Sequence, residues 1–147
     1  MTDTHLNSLR KNKLQHAEHN YSACMYLKQS KEFPDWIITT AFYSALHYFE
    51  SLIFPYKESS VEYKSTEEFF QNNKLKYKLE NIHSARLHLV KTCYPEYKNA
   101  YKDLLGISKT ARYNDYKAYD MNDADRKIQN LNRIKQFVLS QFATQKP

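Results

Sequence analysis

The sequence predicts an all-α protein, an up-and-down helical bundle of about five helices that fills residues 1–147 as a single domain. Three observations carry that expectation. Glycine occurs once, at Gly106, and proline four times, at Pro34, Pro55, Pro95 and Pro147, so hairpins that need left-handed turn residues have almost no material. Apolar residues recur at three- and four-residue intervals through most of the chain, the period of one helical face. The length of 147 residues suits one hydrophobic core and not two.

Taken in order, Leu6, Leu9, Leu14, Ala17, Tyr21, Cys24 and Leu27 form the stripe of a first amphipathic helix over residues 5 to 29. Phe33-Pro34-Asp35 restarts the chain, because proline suits a first helical turn and Asp35 sits beside the positive end of the dipole. The second helix runs to about Phe54. Its apolar residues, Trp36, Ile37, Ala41, Phe42, Ala45, Leu46, Phe49, Leu52 and Ile53, cover more than one face, which places it at the centre of the bundle. Small Ala41, Ser44 and Ala45 permit close approach of a neighbour.

Residues 56 to 64 are polar and aperiodic and read as a mobile loop. Ser65-Thr66-Glu67-Glu68 has the spacing of a capping box and predicts a short helix carrying Phe69 and Phe70. Leu75, Leu79, Ile82, Leu89, Val90 and Cys93 predict the next helix, ended at Tyr94 by the following proline. Another starts at Pro95 and continues through Tyr97, Ala100, Tyr101, Leu104 and Leu105 to about Asn114. After a tyrosine-rich link, Asn122 is expected to cap a last helix with Ala124, Ile128, Leu131, Ile134, Val138 and Phe142 on one side.

One glycine also excludes the glycine-rich phosphate loops of dinucleotide-binding and P-loop proteins, so any nucleotide site must be built from side chains. The formal charge of +6 admits a polyanionic partner, although the cations are interleaved with 16 acidic residues and equally suit a solvated lysine-rich surface. Cys24 and Cys93 form no C-x-x-C pair, and Arg10, Lys11 and Lys13 break any apolar leader, so two free thiols in a reducing cytoplasm are expected. The apolar stretch from Trp36 to Phe54 is interrupted by Thr39, Thr40, Ser44, His47, Glu50 and Ser51, which a membrane span of about 20 residues rarely tolerates. No membrane association is expected. His16 and His19 lie three apart, but no further ligand completes a metal set, and neither a metal nor a cofactor is expected.

Three segments hold the candidate functional residues: Asp35-Trp36 through His47, Ile82-His83-Ser84-Ala85-Arg86, and Ala111-Arg112-Tyr113-Asn114-Asp115-Tyr116-Lys117-Ala118-Tyr119. In this order, D-W-x(4)-A-F-Y-x-A-L-H, then I-H-x-x-R, then S-x-x-A-R-Y-N-D-Y, the chain resembles the HEPN domain over about residues 5 to 140. The resemblance implies a helical bundle that dimerises. It further implies either metal-independent RNA cleavage, of the kind found in toxin-antitoxin and phage-defence systems, or a non-catalytic module that binds a partner protein such as a nucleotidyltransferase.

Active members of that family carry arginine, four to six intervening residues and then histidine. Arg112 matches the arginine, and the position after four intervening residues holds Lys117. The difference is chemical, because histidine exchanges protons near neutral pH whereas an ordinary lysine, with a pKa of about 10.4, does not. Lys117 can still hold a phosphate, and Arg112 offers a permanently charged fork for its oxygens. The resemblance therefore implies Arg112, His83 and His47 as catalytic candidates, and Arg112, Lys117, Arg86, Tyr113, Asn114 and Tyr116 as contacts for RNA or nucleotide phosphate. Each has a structural alternative. His83 can cap its helix, Arg86 can pair with a carboxylate on a neighbouring helix, and His47 can be an interior histidine. The tyrosines suit base stacking, and they equally suit packing or a dimer contact.

Overall fold

A computed structural model describes residues 3–113 and 119–144, with side chains from 8–106 and 119–144. Helix α1, Asp3–Ser30, turns sharply into α2, Pro34–Ile53. Lys31 and Phe33 both take positive φ at the corner, 57° and 56°. The Ser30 hydroxyl stabilises the turn by donating to the Leu27 carbonyl at 2.6 Å and accepting from the Glu32 amide at 3.2 Å.

The two helices run antiparallel and very close. Ser44 Oγ donates to the Ala17 carbonyl at 2.9 Å, and Cys24 Sγ reaches the Ile37 carbonyl at 3.6 Å. Ala17, Ala41 and Ala45 are fully buried, so the small residues do set this approach. Helix α2 is the central element, packed on α1, on α5 (Lys98–Tyr113) and on α6 (Met121–Thr144). Its Phe42 and Phe49 are completely enclosed, and burying each ring contributes about 1.5–3 kcal/mol. Trp36 departs from the expectation of core packing. It is 57% exposed, while Ile37 and Ile38 beside it are completely enclosed, so Trp36 lies on the outer side of the helix.

The expected mobile loop is an antiparallel hairpin, β1 (Tyr56–Glu58) and β2 (Val61–Tyr63), with Tyr56 opposite Tyr63. Ser59 and Ser60 make its turn at φ 51° and 66°, doing with serine what glycine or asparagine usually does. Packing compensates for that local cost. Tyr56 and Tyr63 both meet Phe69 edge-on, at ring separations of 5.7 and 5.4 Å.

Helix α3, Thr66–Asn73, starts where the capping pattern places it, with Ser65 Oγ accepting from the Glu68 amide at 3.2 Å. Glu68 closes on the Lys64 amide, one residue earlier than a standard box, at 2.8 Å. The expected helical stripe from Leu75 is shorter than its pattern. Leu75 is 89% exposed, Lys78 has a φ of 54°, and α4 (Ile82–Cys93) begins only after Asn81. Asn81 and Ser84 cap it reciprocally, at 2.8 and 3.0 Å. A 3-10 turn, Pro95–Tyr97, leads into α5. Helix α6 is capped by Asp120 and Asp123, not by Asn122, through mutual side-chain to amide bonds of 2.8 and 3.0 Å.

Buried residues of α1, α2, β2, α3, α4, α5 and α6 join one hydrophobic core. Helix α5 runs antiparallel to α2, since Tyr97 lies by Phe49 and Tyr101 by Phe42. Its last turn therefore points to the end of the bundle that holds the α1–α2 corner. No helix among the described residues is long and apolar enough to cross a membrane.

Candidate functional site

The centre of the site is Glu50, a carboxylate on the inner side of the most apolar helix, 4% exposed. Three elements converge on it. Thr66 of α3 donates its hydroxyl to Oε2 at 2.7 Å, Arg86 Nε of α4 lies 3.6 Å from the same oxygen, and His47 Nδ1 of α2 lies 3.6 Å from Oε1. Burial alone would raise the Glu50 pKa. His47, Arg86, Lys13 and Thr66 together outweigh it and hold the group at about 2. Glu50 is therefore a fixed negative charge inside the bundle.

Arg86 is equally enclosed, at 5% exposure, and its guanidinium lies against Tyr101. Burial pushes the Tyr101 phenol up to about 12, with Arg86 opposing. The tyrosine stays neutral, and the charges in this layer are Glu50 and Arg86. Such a pair is costly to break, because either partner alone would be an uncompensated ion in an apolar interior.

On the outer side of Glu50 the environment turns basic. His16 of α1 stacks on His47, ring centroids 3.7 Å apart and planes within 19°. Lys13 sits one turn before His16, with its ammonium 5.4 Å from the Phe54 ring. Arg10, one turn further, donates Nε to the Phe54 carbonyl at 3.4 Å. The His16 pKa is lowered, first by partial burial, then by the neighbouring His47, His19 and Lys13, with Glu50 opposing. The pair is an imidazole couple held on a buried carboxylate and bordered by cations.

Of the sequence-predicted residues, His47 belongs to this cluster directly and Arg86 through Glu50. His83 stands in the first turn of α4, half-buried, with its ring 5.8 Å from that of Phe42. Arg112 and Tyr113 close α5, while their side chains, together with Asn114, Tyr116 and Lys117, lie outside the described residues. Along α5, Arg112 is about 16 Å from Tyr101, the residue that Arg86 touches, at about 1.5 Å per residue. Arg86 and the backbone position of Arg112 thus lie at different levels of the bundle. Tyr119 packs at the edge of the core.

Comparison with family models, with curated proteins and with solved structures finds no match in any of the three. Sequence reasoning missed Glu50, Thr66, Tyr101, Lys13 and the partnership of His16 with His47. One signal was legible: His47 and Glu50 stand three apart, and Glu50 is the lone carboxylate between Trp36 and Phe54. The stacking of His16 on His47 had none, since it joins two helices. Among the described residues no group of three potential ligands gathers to hold a metal ion.

Proposed function

We propose that this chain is a cytoplasmic, HEPN-like, homodimeric protein that engages RNA or a nucleotide and cleaves RNA without a metal, in a toxin-antitoxin or phage-defence setting. The observation that carries the reading is His47, partly exposed, turned by Nδ1 to the fixed charge of Glu50 and stacked on a second imidazole beside Lys13. A carboxylate behind one ring nitrogen orients the imidazole, leaving the opposite nitrogen to exchange protons. This supplies the proton-transfer group that Lys117 does not.

In the proposed reaction the imidazole couple takes the proton of a ribose 2′-hydroxyl, and that oxygen attacks the adjacent phosphorus. The bond from phosphorus to the 5′ oxygen breaks, and a protonated imidazole returns a proton to the leaving oxygen. A 2′,3′-cyclic phosphate and a 5′-hydroxyl result. Lys13 holds phosphate oxygens beside the imidazoles, and by the family resemblance Arg112 and Lys117 are offered to them across the dimer by the second protomer. His83 and Arg86 act from behind, through the packing of α4 on α2.

The test is incubation of the purified protein with labelled RNA and chelator, beside His47→Ala and Arg112→Ala. The expected result is chelator-resistant cleavage that falls about 100-fold or more in His47→Ala, the usual share of a proton-transfer group, and that also falls in Arg112→Ala through lost phosphate binding. Cleavage indifferent to His47→Ala would remove the proposal.

A second reading has its own observation. Tyr26, Phe33 and Trp36 are exposed on and beside the α1–α2 corner, the end of the bundle toward which the last turn of α5 points. Exposed aromatics at one corner suit a non-catalytic module whose ligand is a partner protein, such as a nucleotidyltransferase. Salt-sensitive RNA binding without cleavage, or capture of a protein lost in Trp36→Ser, would favour it.

A further inference from the structure

We infer that His16, His47 and Lys13 form a binding site for a phosphate monoester dianion, filled together with the uptake of one proton by His16. The inference deepens the reading above by naming the group the site takes, and it does not require that RNA be cut.

His16 and Lys13 lie one turn apart on α1, and His47 faces them from α2 with its ring 3.7 Å from that of His16. His19 of α1 adds a further imidazole near His16. The carboxylate facing this group is Glu50, behind His47, and its charge is already matched by Arg86 of α4 and by the Thr66 hydroxyl of α3. Glu18, also on α1, is turned to Lys135 of α6. The outer surface of the cluster thus carries cationic groups whose countercharge is occupied in the interior.

Two stacked imidazoles repel when both are charged, and Lys13 adds to that repulsion. Partial burial first, and then this repulsion, lower the His16 pKa and disfavour its proton in the empty site. A doubly charged tetrahedral anion at the exposed edges reverses the balance, because it accepts hydrogen bonds from both rings and from the ammonium. A diester carries one charge and reverses it less, so a terminal phosphate is preferred over a backbone phosphate. Linkage then requires that affinity rise as pH falls, by about tenfold per pH unit for each proton taken up.

Inorganic sulfate is the suitable first probe, since it stays a dianion throughout pH 6 to 8 and contributes no titration of its own. Titration followed by histidine ring NMR is expected to shift His16 and His47 ahead of His88. His16 is expected to charge at higher pH when sulfate is bound. Affinity should weaken about tenfold per unit above the His16 midpoint. His16→Gln should bind at least fivefold more weakly and lose the pH dependence, Lys13→Ala should weaken binding but keep it, and Lys102→Ala, at an exposed position of α5, should match the unaltered protein. A dinucleotide with a terminal phosphate should then compete with sulfate, and the same dinucleotide without it should not.

Sulfate affinity that ignores pH, or that survives His16→Gln unchanged, would overturn the inference. Proton-linked sulfate binding in a protein that cuts no RNA would leave it standing and remove only the ribonuclease reading. The converse pattern, cleavage without sulfate binding, would do the opposite.

Discussion

Arg86 of α4 and Glu50 of α2 meet 3.6 Å apart in the interior of the bundle, each enclosed to about the same degree. This one pair ties the central helix to α4 and, through Thr66, to α3. It also fixes the charge on which His47 rests.

Removing one partner should be far worse than removing both. Arg86→Leu is expected to cost about 3–5 kcal/mol in urea unfolding, as an ion left alone in an apolar interior does. The double variant Glu50→Leu with Arg86→Leu should lose less than Arg86→Leu alone. Equal or greater loss in the double variant would show that the two charges are not coupled.

Acid should unfold the protein partly through Glu50. Its carboxyl sits at about 2 in the folded chain against an ordinary 4.5, so the folded state binds the proton more weakly than the unfolded one. The stabilisation is complete above the unfolded value and is lost as pH falls through 4.5 toward 2. Its size is about 3 kcal/mol, from about 1.36 kcal/mol per pKa unit. Unfolding free energies of the protein and of Glu50→Gln between pH 6 and pH 3 should converge as the pH is lowered.

The cap of α4 positions both His83 and Arg86. Asn81→Ala removes the side-chain acceptor of the Ser84 amide and should destabilise by about 1 kcal/mol. Hydrogen exchange at the Ile82 to Ala85 amides should rise in step. Exchange unchanged at those amides would mean that packing, not the cap, holds the first turn.

The hairpin turn should be improvable. Ser60 stands at φ 66°, where glycine meets no Cβ penalty, and Ser60→Gly is expected to stabilise by about 0.5–1 kcal/mol. For a chain of this length that is a rise in Tm of about 1–4 °C, readable by thermal denaturation.

Much of the fold was legible because a helix advertises itself locally. The stripe of Ala17, Tyr21 and Cys24, the Pro34 start and the Ser65 cap each rest on neighbours within a turn, and each sits where the pattern put it. The hairpin at residues 56 to 63 was illegible for the opposite reason. Its turn residues are serines, and what holds it is Phe69, brought from the next helix. Leu75 misled because its spacing is helical while nothing packs on it, and the Lys78 and Asn81 conformations end the pattern.

Composition and periodicity by themselves determined an all-α bundle with a crowded central helix, the scarcity of glycine leaving few other ways to bury the apolar residues. Which polar groups meet inside it was decided only by tertiary structure. Glu50, Arg86, Thr66 and His16 come from four helices, and an ion in an apolar interior must find its opposite wherever the packing brings one within reach.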